Sequence, residues 1–332
     1  MSDRGNRLGR LLSWDVAVIA VAVAGLAIAS GAVENFGTSR NFTFLLLDLL
    51  PIALMALPMT FVIVTGEIDL SVASTLGLTS AVMGSLWNAG LSIQTIIPLC
   101  IVLGALLGAV NGFFVTVLKL PSLAVTIGTM ALFRGLAFVV LGDSAVADFP
   151  ASYTGWVAGG GALPNVLLPL LALAVVFGVV LHATPVGRAA FAAGASDQAA
   201  RFAGIRTGRL KFWLYVVSGA VAGLAGVLWT LRYSSARADN GFGLELAVVA
   251  AVLLGGVSIF GGKGTLPGVL GGVLLLAVLQ NALRLQDVSN EALNVVTGVL
   301  LIISVLLPNL LSSAGAALRR RHRARSAAIP ER

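Results

Sequence analysis

Ten long apolar stretches follow one another along the chain, and they limit the fold more than any other feature of the sequence. A helix needs about 20 mostly apolar residues to cross the hydrocarbon core of a bilayer. Only a helix or a closed barrel satisfies every backbone hydrogen bond there. The sequence therefore predicts an all-α, polytopic transmembrane helix bundle of about ten spans. The predicted spans cover residues 15–33, 44–65, 70–87, 94–117, 122–141, 163–182, 212–231, 245–260, 265–283 and 292–311. Only residues 260–265 separate the eighth span from the ninth, which leaves open that one of the two is short or re-entrant.

The amino-acid composition supports a membrane protein and excludes several other classes. Of the 332 residues, 58% are hydrophobic and 11% are charged, whereas a soluble domain has about a quarter charged residues because its surface must be hydrated. The single cysteine, Cys100, can form no internal disulfide, and its apolar surroundings indicate a packed side chain rather than a reactive thiol. A soluble domain, a disordered chain and a disulfide scaffold are therefore excluded.

The positions of the lysines and arginines predict the orientation. Sixteen of the 21 basic residues lie on the side of the termini, four lie on the opposite side, and Arg134 falls within a span. Cytoplasmic loops carry the excess of positive charge in membrane proteins. We therefore expect both termini in the cytoplasm, with a tail at 1–14, a membrane domain at 15–311 and a basic tail at 312–332. The basic tail indicates contact with anionic lipid and no nucleic acid partner.

The predicted cytoplasmic loop 183–211 contains the signals of a short helix. Ser196 or Asp197 can cap a helix that runs to about Phe202, and Gly204 can close it. A helix of about two turns is marginal in water, so we expect it to pack against another protein. A basic loop that lies on anionic lipid is the alternative.

Acidic residues occupy the loop between the second and third spans, on the side where basic residues are usual. Asp69 or Ser71 can cap the third helix, which accounts for either of them. Glu67 has no such role.

The sequence lacks the motifs of metal, cofactor and catalytic sites. The sequence of residues 261–265 partly resembles a phosphate-binding loop, but Lys263 is followed by glycine rather than Ser or Thr. His182 and His322 are isolated, so neither a metal site nor a Ser-His-Asp arrangement can be assembled. We therefore expect no metal, no cofactor of its own and no enzymatic activity.

Two ionisable residues lie plainly within the predicted spans, Asp48 in the second and Arg134 in the fifth. They lie at comparable depth near the outer edge, and charges inside a membrane usually pair. We predict an ion pair between them. Separate extension of each side chain to the outer interface is the alternative.

Uncharged polar side chains are scattered along the spans. A path for a neutral, hydroxyl-rich solute would use amides and hydroxyls, which exchange hydrogen bonds without leaving a charge unpaired. Hydrogen bonding between helices is the alternative role for each of them. The candidate path residues are Asn111, Thr126, Thr129, Gln280 and Asn281.

Three segments of the chain resemble a known family. They are residues 63–71 (Ile-Val-Thr-Gly-Glu-Ile-Asp-Leu-Ser), 120–130 (Leu-Pro-Ser-Leu-Ala-Val-Thr-Ile-Gly-Thr-Met) and 254–265 (Leu-Gly-Gly-Val-Ser-Ile-Phe-Gly-Gly-Lys-Gly-Thr). Together they are similar to the membrane permeases of ribose-type ABC sugar importers, and the similarity runs from about the second span to the tenth. Glu67 departs from the family, which commonly has glycine there. The third segment looks most like rhamnose-type and autoinducer-2-type permeases.

The resemblance also implies a role for the short helix in loop 183–211. Residues 198–204 are similar to the Glu-Ala-Ala-x-x-x-Gly motif with which importer permeases enter a cleft of the ATPase subunit, although Gln198 replaces the glutamate. The residues expected to couple to the ATPase are Asp197, Gln198, Ala199, Ala200 and Gly204.

The resemblance implies three protein partners: a cytoplasmic ABC ATPase that binds the ATP, a second permease subunit and a periplasmic sugar-binding protein. The chain would lie in the bacterial inner membrane and translocate a ribose- or rhamnose-like monosaccharide, or autoinducer-2. A permease for branched-chain amino acids or nucleosides is one alternative, and an ion-coupled secondary transporter is another. A membrane-embedded enzyme would need clustered carboxylates or histidines, and the sequence offers only Glu67 and Asp69.

Overall fold

The computed structural model describes residues 14–159 and 163–306. Within these ranges the chain forms thirteen helices and no β-strand, with one isolated antiparallel bridge between Val146 and Ala236. The prediction of an all-α bundle is confirmed. The helices are α1 (Trp14–Ala32), α2 (Ser39–Val64), α3 (Val72–Asn88), α4 (Ile93–Thr116), α5 (Ser122–Leu141), α6 (Ala151–Ala158), α7 (Leu167–Ala183), α8 (Pro185–Ala195), α9 (Asp197–Phe202), α10 (Thr207–Tyr233), α11 (Leu244–Leu254), α12 (Leu266–Arg284) and α13 (Asn290–Leu306).

Each of the ten predicted spans overlaps a helix of the described residues, but not every helix has the length of a span. Six helices are long and apolar enough to cross a membrane, and α7 with α8, bent by 65° between them, makes up to seven. Helix α3 has 17 residues and α11 has 11. The number of spans and the cytoplasmic position of the termini therefore stay predictions. The predicted tails 1–14 and 312–332 lie outside the described residues, apart from Trp14.

Helix α11 is shorter than the sequence predicts. The eighth span was expected to cover 245–260, but the helix ends at Leu254. Gly256 and Gly261 then have φ of +89° and +83°, a conformation that glycine adopts without the steric cost of a Cβ. The apolar run therefore continues as a glycine-rich loop, and of the two spans that the sequence left in question the eighth is the short one.

Helix α2 forms the centre of the bundle. Every side chain from Leu49 to Val64 is buried, and α7, α10, α11 and α12 pack around the helix. A helix that is apolar on all sides is stable when it is surrounded in this way. In contrast, most residues of α1, α4 and α5 lie outside the buried core, as expected for helices that face lipid or a partner subunit.

Helices α4 and α10 form the most extensive helix pair of the bundle. Gly104 and Gly108 of α4 lie against Gly219 and Gly223 of α10, so closely that a Cβ on Gly223 would lie 2.6 Å from the Cys100 carbonyl. Small residues four apart allow two backbones to approach within a membrane. The Gly-x-x-x-Gly spacing in both helices therefore accounts for their close approach.

Candidate functional site

The short helix α9 is capped at both ends. Ser196 is the N-cap, and its Oγ accepts a hydrogen bond from the Ala199 N–H at 3.2 Å. At the other end Gly204 has φ +85°, and its N–H and that of the next residue donate to carbonyls of the last turn. This is the Schellman arrangement, in which glycine is the favoured residue. The helix predicted from the capping residues is confirmed.

Helix α8, which precedes α9, is not predicted from the sequence. The chain bends by 65° between α7 and α8, and Pro185 begins α8. Proline suits the first position of a helix, where its missing N–H leaves no bond unmade. A Cβ on Gly194 would overlap the Val64 carbonyl, so glycine allows α8 to lie directly on the end of α2. The position of α9 is fixed through this contact.

The outward face of α9 suits a protein partner. Gln198, Ala199 and Ala203 are exposed, and Phe202 is 84% exposed. Ala200 is only 4% exposed because it lies on the inward side of the helix, and its role in coupling to an ATPase stays a prediction. Sequence reasoning missed Phe202, although a lone aromatic residue among small and charged ones was a signal for it.

Charged side chains join α9 to the loop between α2 and α3. Lys211 Nζ lies 2.7 Å from Glu67 Oε1 and 3.7 Å from Asp197 Oδ1, and Arg201 lies 2.7 Å from Asp197 Oδ2. Partial burial acts to raise the pKa of Asp197, but a hydrogen bond with Thr207 and the charges of Lys211 and Arg201 outweigh it and hold the pKa below the usual 3.8. Asp197 is therefore ionised at neutral pH, and Glu67 has a partner that the sequence does not suggest.

The glycine-rich loop after α11 completes this end of the bundle. The Gly262 N–H donates to the Val64 carbonyl at 2.9 Å, and a Cβ on Gly261 would lie 3.0 Å from the Gly194 Cα. Phe260, at the tip, is 74% exposed. Two of the three segments that carry the family resemblance therefore meet beside α9. We call this end of the molecule the coupling end; it comprises residues 65–71, α9 and residues 255–265.

A buried polar cluster connects the loop 65–71 of the coupling end to α4 and α10. Asp69, 1% exposed, accepts hydrogen bonds from the Ser71 N–H at 3.0 Å, from Ser71 Oγ at 2.6 Å and from Ser218 Oγ at 3.4 Å. Asn111 Nδ2 donates to Ser71 Oγ and Asn111 Oδ1 accepts from Thr129 Oγ1, each at 2.7 Å. Ser71 is the N-cap residue of α3, one of the two candidates that the sequence offers, but its side chain makes no capping hydrogen bond and binds Asp69 instead.

Three of the candidate path residues lie at this cluster. Asn111 and Thr129 belong to it, and Thr126 Oγ1 donates to the Ile68 carbonyl at 3.3 Å. All three side chains are buried. Their hydrogen bonds join α4 and α5 to the loop between α2 and α3, which is the alternative role that the sequence left open. Their place along a solute path stays a prediction.

The other two candidate path residues lie towards the opposite end of α2. The amides of Asn281 and Asn41 exchange two hydrogen bonds, at 2.9 and 3.2 Å. Gln280 Nε2 donates to Thr297 Oγ1 at 3.0 Å, which joins α12 to α13. The five candidates therefore form two separate groups rather than one continuous set.

The predicted ion pair between Asp48 and Arg134 does not form. Asp48 pairs with Arg232, at the end of α10, and with Arg284, at the end of α12, the latter at 2.8 Å. Arg134 lies on α5, which packs on α3 and α4, and it donates to two carbonyls of the loop between α10 and α11 at 2.9 and 2.8 Å. Asp48 and Arg134 were paired because they lie at similar depth, but their helices, α2 and α5, pack on different neighbours.

Comparison with known proteins agrees with the resemblance. The family model described as "Branched-chain amino acid transport system / permease component" matches residues 41–305. The chain belongs to this family. It is 35% identical to the ribose import permease protein of Haemophilus influenzae over 318 residues, which are 92% of this chain and 96% of that protein. It is 34% identical to the autoinducer 2 import system permease protein of Escherichia coli K12 over 304 residues, 88% of this chain and 91% of that protein. No solved structure matches the chain.

These relatives confirm the resemblance to importer permeases. The chain is a transport component rather than an enzyme, and a multi-pass protein of the inner membrane.

Proposed function

We propose that the chain is the membrane subunit of an ABC importer that passes a sugar from a periplasmic binding protein to the cytoplasm. A separate ATPase subunit supplies the energy. The substrate class follows from the relatives, which are named for the import of ribose and autoinducer 2. The observation that carries the proposal is the exposed face of α9, with Phe202 at its centre, at the position where the resemblance expects an ATPase contact.

The contacts of α9 connect a bound ATPase to two helices of the bundle, α2 and α10. Phe202 enters the partner, while Ala200 packs on the chain itself. The Asp197 carboxylate faces Lys211 of α10, and Lys211 binds Glu67 at the end of α2. A displacement of α9 is therefore passed to α2 and to α10 together.

Helix α10 also reaches the buried polar cluster. Ser218 of α10 contacts Asp69, and Asn111 of α4 binds Ser71 next to it. A movement of α10 against α4 would exchange these hydrogen bonds. We infer that Asn111, Thr126 and Thr129 line the cytoplasmic part of the path, and that Gln280 and Asn281 line the opposite part.

The remaining partners follow from orientation and exposure. With ten spans and both termini in the cytoplasm, the coupling end faces the ATPase and the opposite end faces the binding protein. The second permease subunit needs an apolar surface within the membrane, and α5 and α13 expose one. Among its residues are Ile127, Leu132, Val139, Val295 and Ile302.

Reconstitution with the partner proteins tests the proposal. The permease, its ATPase and its binding protein are placed in nanodiscs, and ATP hydrolysis is measured with ribose, rhamnose, autoinducer-2, leucine or adenosine present. We expect stimulation by a sugar or by autoinducer-2 only. Stimulation by leucine or adenosine alone would contradict the substrate class, and an assembled complex that responds to no loaded binding protein would contradict the importer.

A further inference from the structure

An apolar groove opens on the side of the bundle between α2, α7 and α10, where no helix of the described chain covers it. Its volume is about 510 Å³, within the usual range of ligand clefts, about 300–1,000 Å³. Pro58 and Phe61 form its floor from α2, and Val176 and Val217 form its walls from α7 and α10. These helices belong to the membrane domain, so the groove faces the hydrocarbon of the bilayer.

Two arginines lie where the groove reaches the coupling end. Arg206 and Arg209 line it and are exposed. In the described part of the chain neither has a carboxylate within 4 Å, whereas their neighbour Lys211 pairs with Glu67. The first turn of α10 contains no acidic residue, and arginine is not favoured by the helix dipole at this end. The stability of α10 therefore does not explain the two guanidinium groups.

We propose that the groove binds an anionic phospholipid, with an acyl chain between α7 and α10 and the phosphate on Arg206 and Arg209. Guanidinium groups bind phosphate oxygens in pairs of hydrogen bonds, which fixes the headgroup. Trp213 lies at the same end of the groove and is 54% exposed, as is usual for a tryptophan at the membrane interface. The apolar walls and the unpaired charges at one end together match the two parts of such a lipid.

The lipid would also touch the parts that hold α9. Val186 of α8 and Leu210 of α10 both line the groove, and these two helices lead into α9 and away from it. A lipid seated there fills the space between them. The bound lipid would therefore stabilise the position of α9.

Native mass spectrometry of the detergent-purified full-length chain tests the headgroup contact. Phosphatidylglycerol and phosphatidylcholine with the same acyl chains are titrated, and tighter binding of phosphatidylglycerol is expected. The double variant Arg206→Gln and Arg209→Gln should bind phosphatidylglycerol roughly thirtyfold more weakly, since each basic residue near an anionic surface contributes a factor of about five. The double variant Lys119→Gln and Arg188→Gln is the matched control, because it removes two exposed charges from the same end without touching the groove.

Equal weakening in the control pair, or none in the arginine pair, would overturn the proposal. Displacement of the lipid by millimolar inorganic phosphate would do so too, because it would show that the site recognises phosphate without the acyl chain.

A second pair of variants tests the acyl chain independently of charge. Val176→Trp places a large side chain in the groove, whereas Val175→Trp places it on the same helix outside the groove; both valines are more than half exposed. We expect Val176→Trp to weaken the binding of phosphatidylglycerol at least tenfold and Val175→Trp to leave this binding unchanged. Retained lipid binding by folded Val176→Trp protein would show that the groove is not the site.

Discussion

Two clusters of charged side chains lie towards the two ends of α2, and they join different kinds of structure. Towards the end opposite the coupling end, Asp48 binds Arg232 and Arg284, which belong to the long helices α10 and α12. At the coupling end, Lys211 lies between Glu67 and Asp197, which belong to a loop and to a helix of six residues.

Ion pairs have two different roles in this bundle. The Arg232 side chain is only 8% exposed, so the first cluster ties three helices into a fixed unit. The second cluster leaves Phe202 free on the surface while it holds the base of α9. Helix α10 takes part in both, and we therefore expect it to carry motion from the coupling end towards a fixed opposite end.

The largest effect should come from breaking the fixed cluster. Asp48→Asn leaves the buried Arg232 without a full negative charge, and we expect the free energy of unfolding to fall by about 3 kcal/mol. Thermal unfolding of the purified protein measures this loss. Adding Arg232→Gln should restore much of it, because the unpaired charge is removed.

Arg134→Gln is the matched control for that rescue. Arg134 binds backbone carbonyls on another side of the bundle, so it should not restore the stability of the Asp48→Asn protein. Rescue by Arg134→Gln in place of Arg232→Gln would contradict the assignment of the pair.

A smaller effect, confined to binding, should come from Phe202→Ala. A central aromatic residue of an interface contributes about 2 kcal/mol, so we expect the ATPase to bind roughly thirtyfold more weakly. The stability of the permease should not change, because the ring contacts little of its own chain. Phe242→Ala is the control, since Phe242 is 78% exposed at the opposite end. Equal ATPase affinity of the two variants would refute the proposed contact.

The sequence predicts α9 well because the residues that cap this helix lie next to it in the chain. Ser196 and Gly204 mark the two ends of α9, and the structure has the helix between them. Apolar length likewise predicts where each long helix lies. Packing against the rest of the chain decides which side of α9 faces outward, and the local sequence does not contain this information. The inward position of Ala200 was therefore missed.

The charged pairs illustrate what the sequence does not contain. Asp48 and Arg134 were paired from their depth, yet depth leaves open the direction in which a side chain points around its helix. The partner of Glu67 lies far along the chain, and only the packing of α10 against the loop after α2 brings Lys211 to it. The sequence left open which of the eighth and ninth spans is short, since hydropathy alone does not separate a helix from an apolar glycine-rich loop.

Glu67 gives a milder way to weaken the coupling end. The pair with Lys211 is partly exposed, with 14% and 17% of the two side chains accessible, so Glu67→Gln should cost no more than about 1 kcal/mol of stability. We expect less solute transported per ATP hydrolysed, with unchanged ATPase affinity. Glu34→Gln removes an exposed carboxylate elsewhere and should alter neither. An unchanged transport ratio in Glu67→Gln would show that this pair does not link α9 to α2.

The smallest effect concerns pH. The pKa of Asp197 is lowered in the folded protein, so its contribution to holding α9 is complete above the unfolded value of about 3.9 and is lost as the pH falls through the folded value. Hydrogen exchange of α9 amides should therefore show constant protection between pH 8 and about pH 5. Asp197→Asn should remove any loss at lower pH. Loss of protection between pH 7 and pH 5 would contradict the role of this carboxylate.

The most direct test of the account is solute uptake by proteoliposomes that contain the permease. With the ATPase and the loaded binding protein present, we expect uptake that depends on ATP and is strongly reduced by Phe202→Ala but not by Phe242→Ala. Uptake by the permease alone, driven by an ion gradient, would contradict the account.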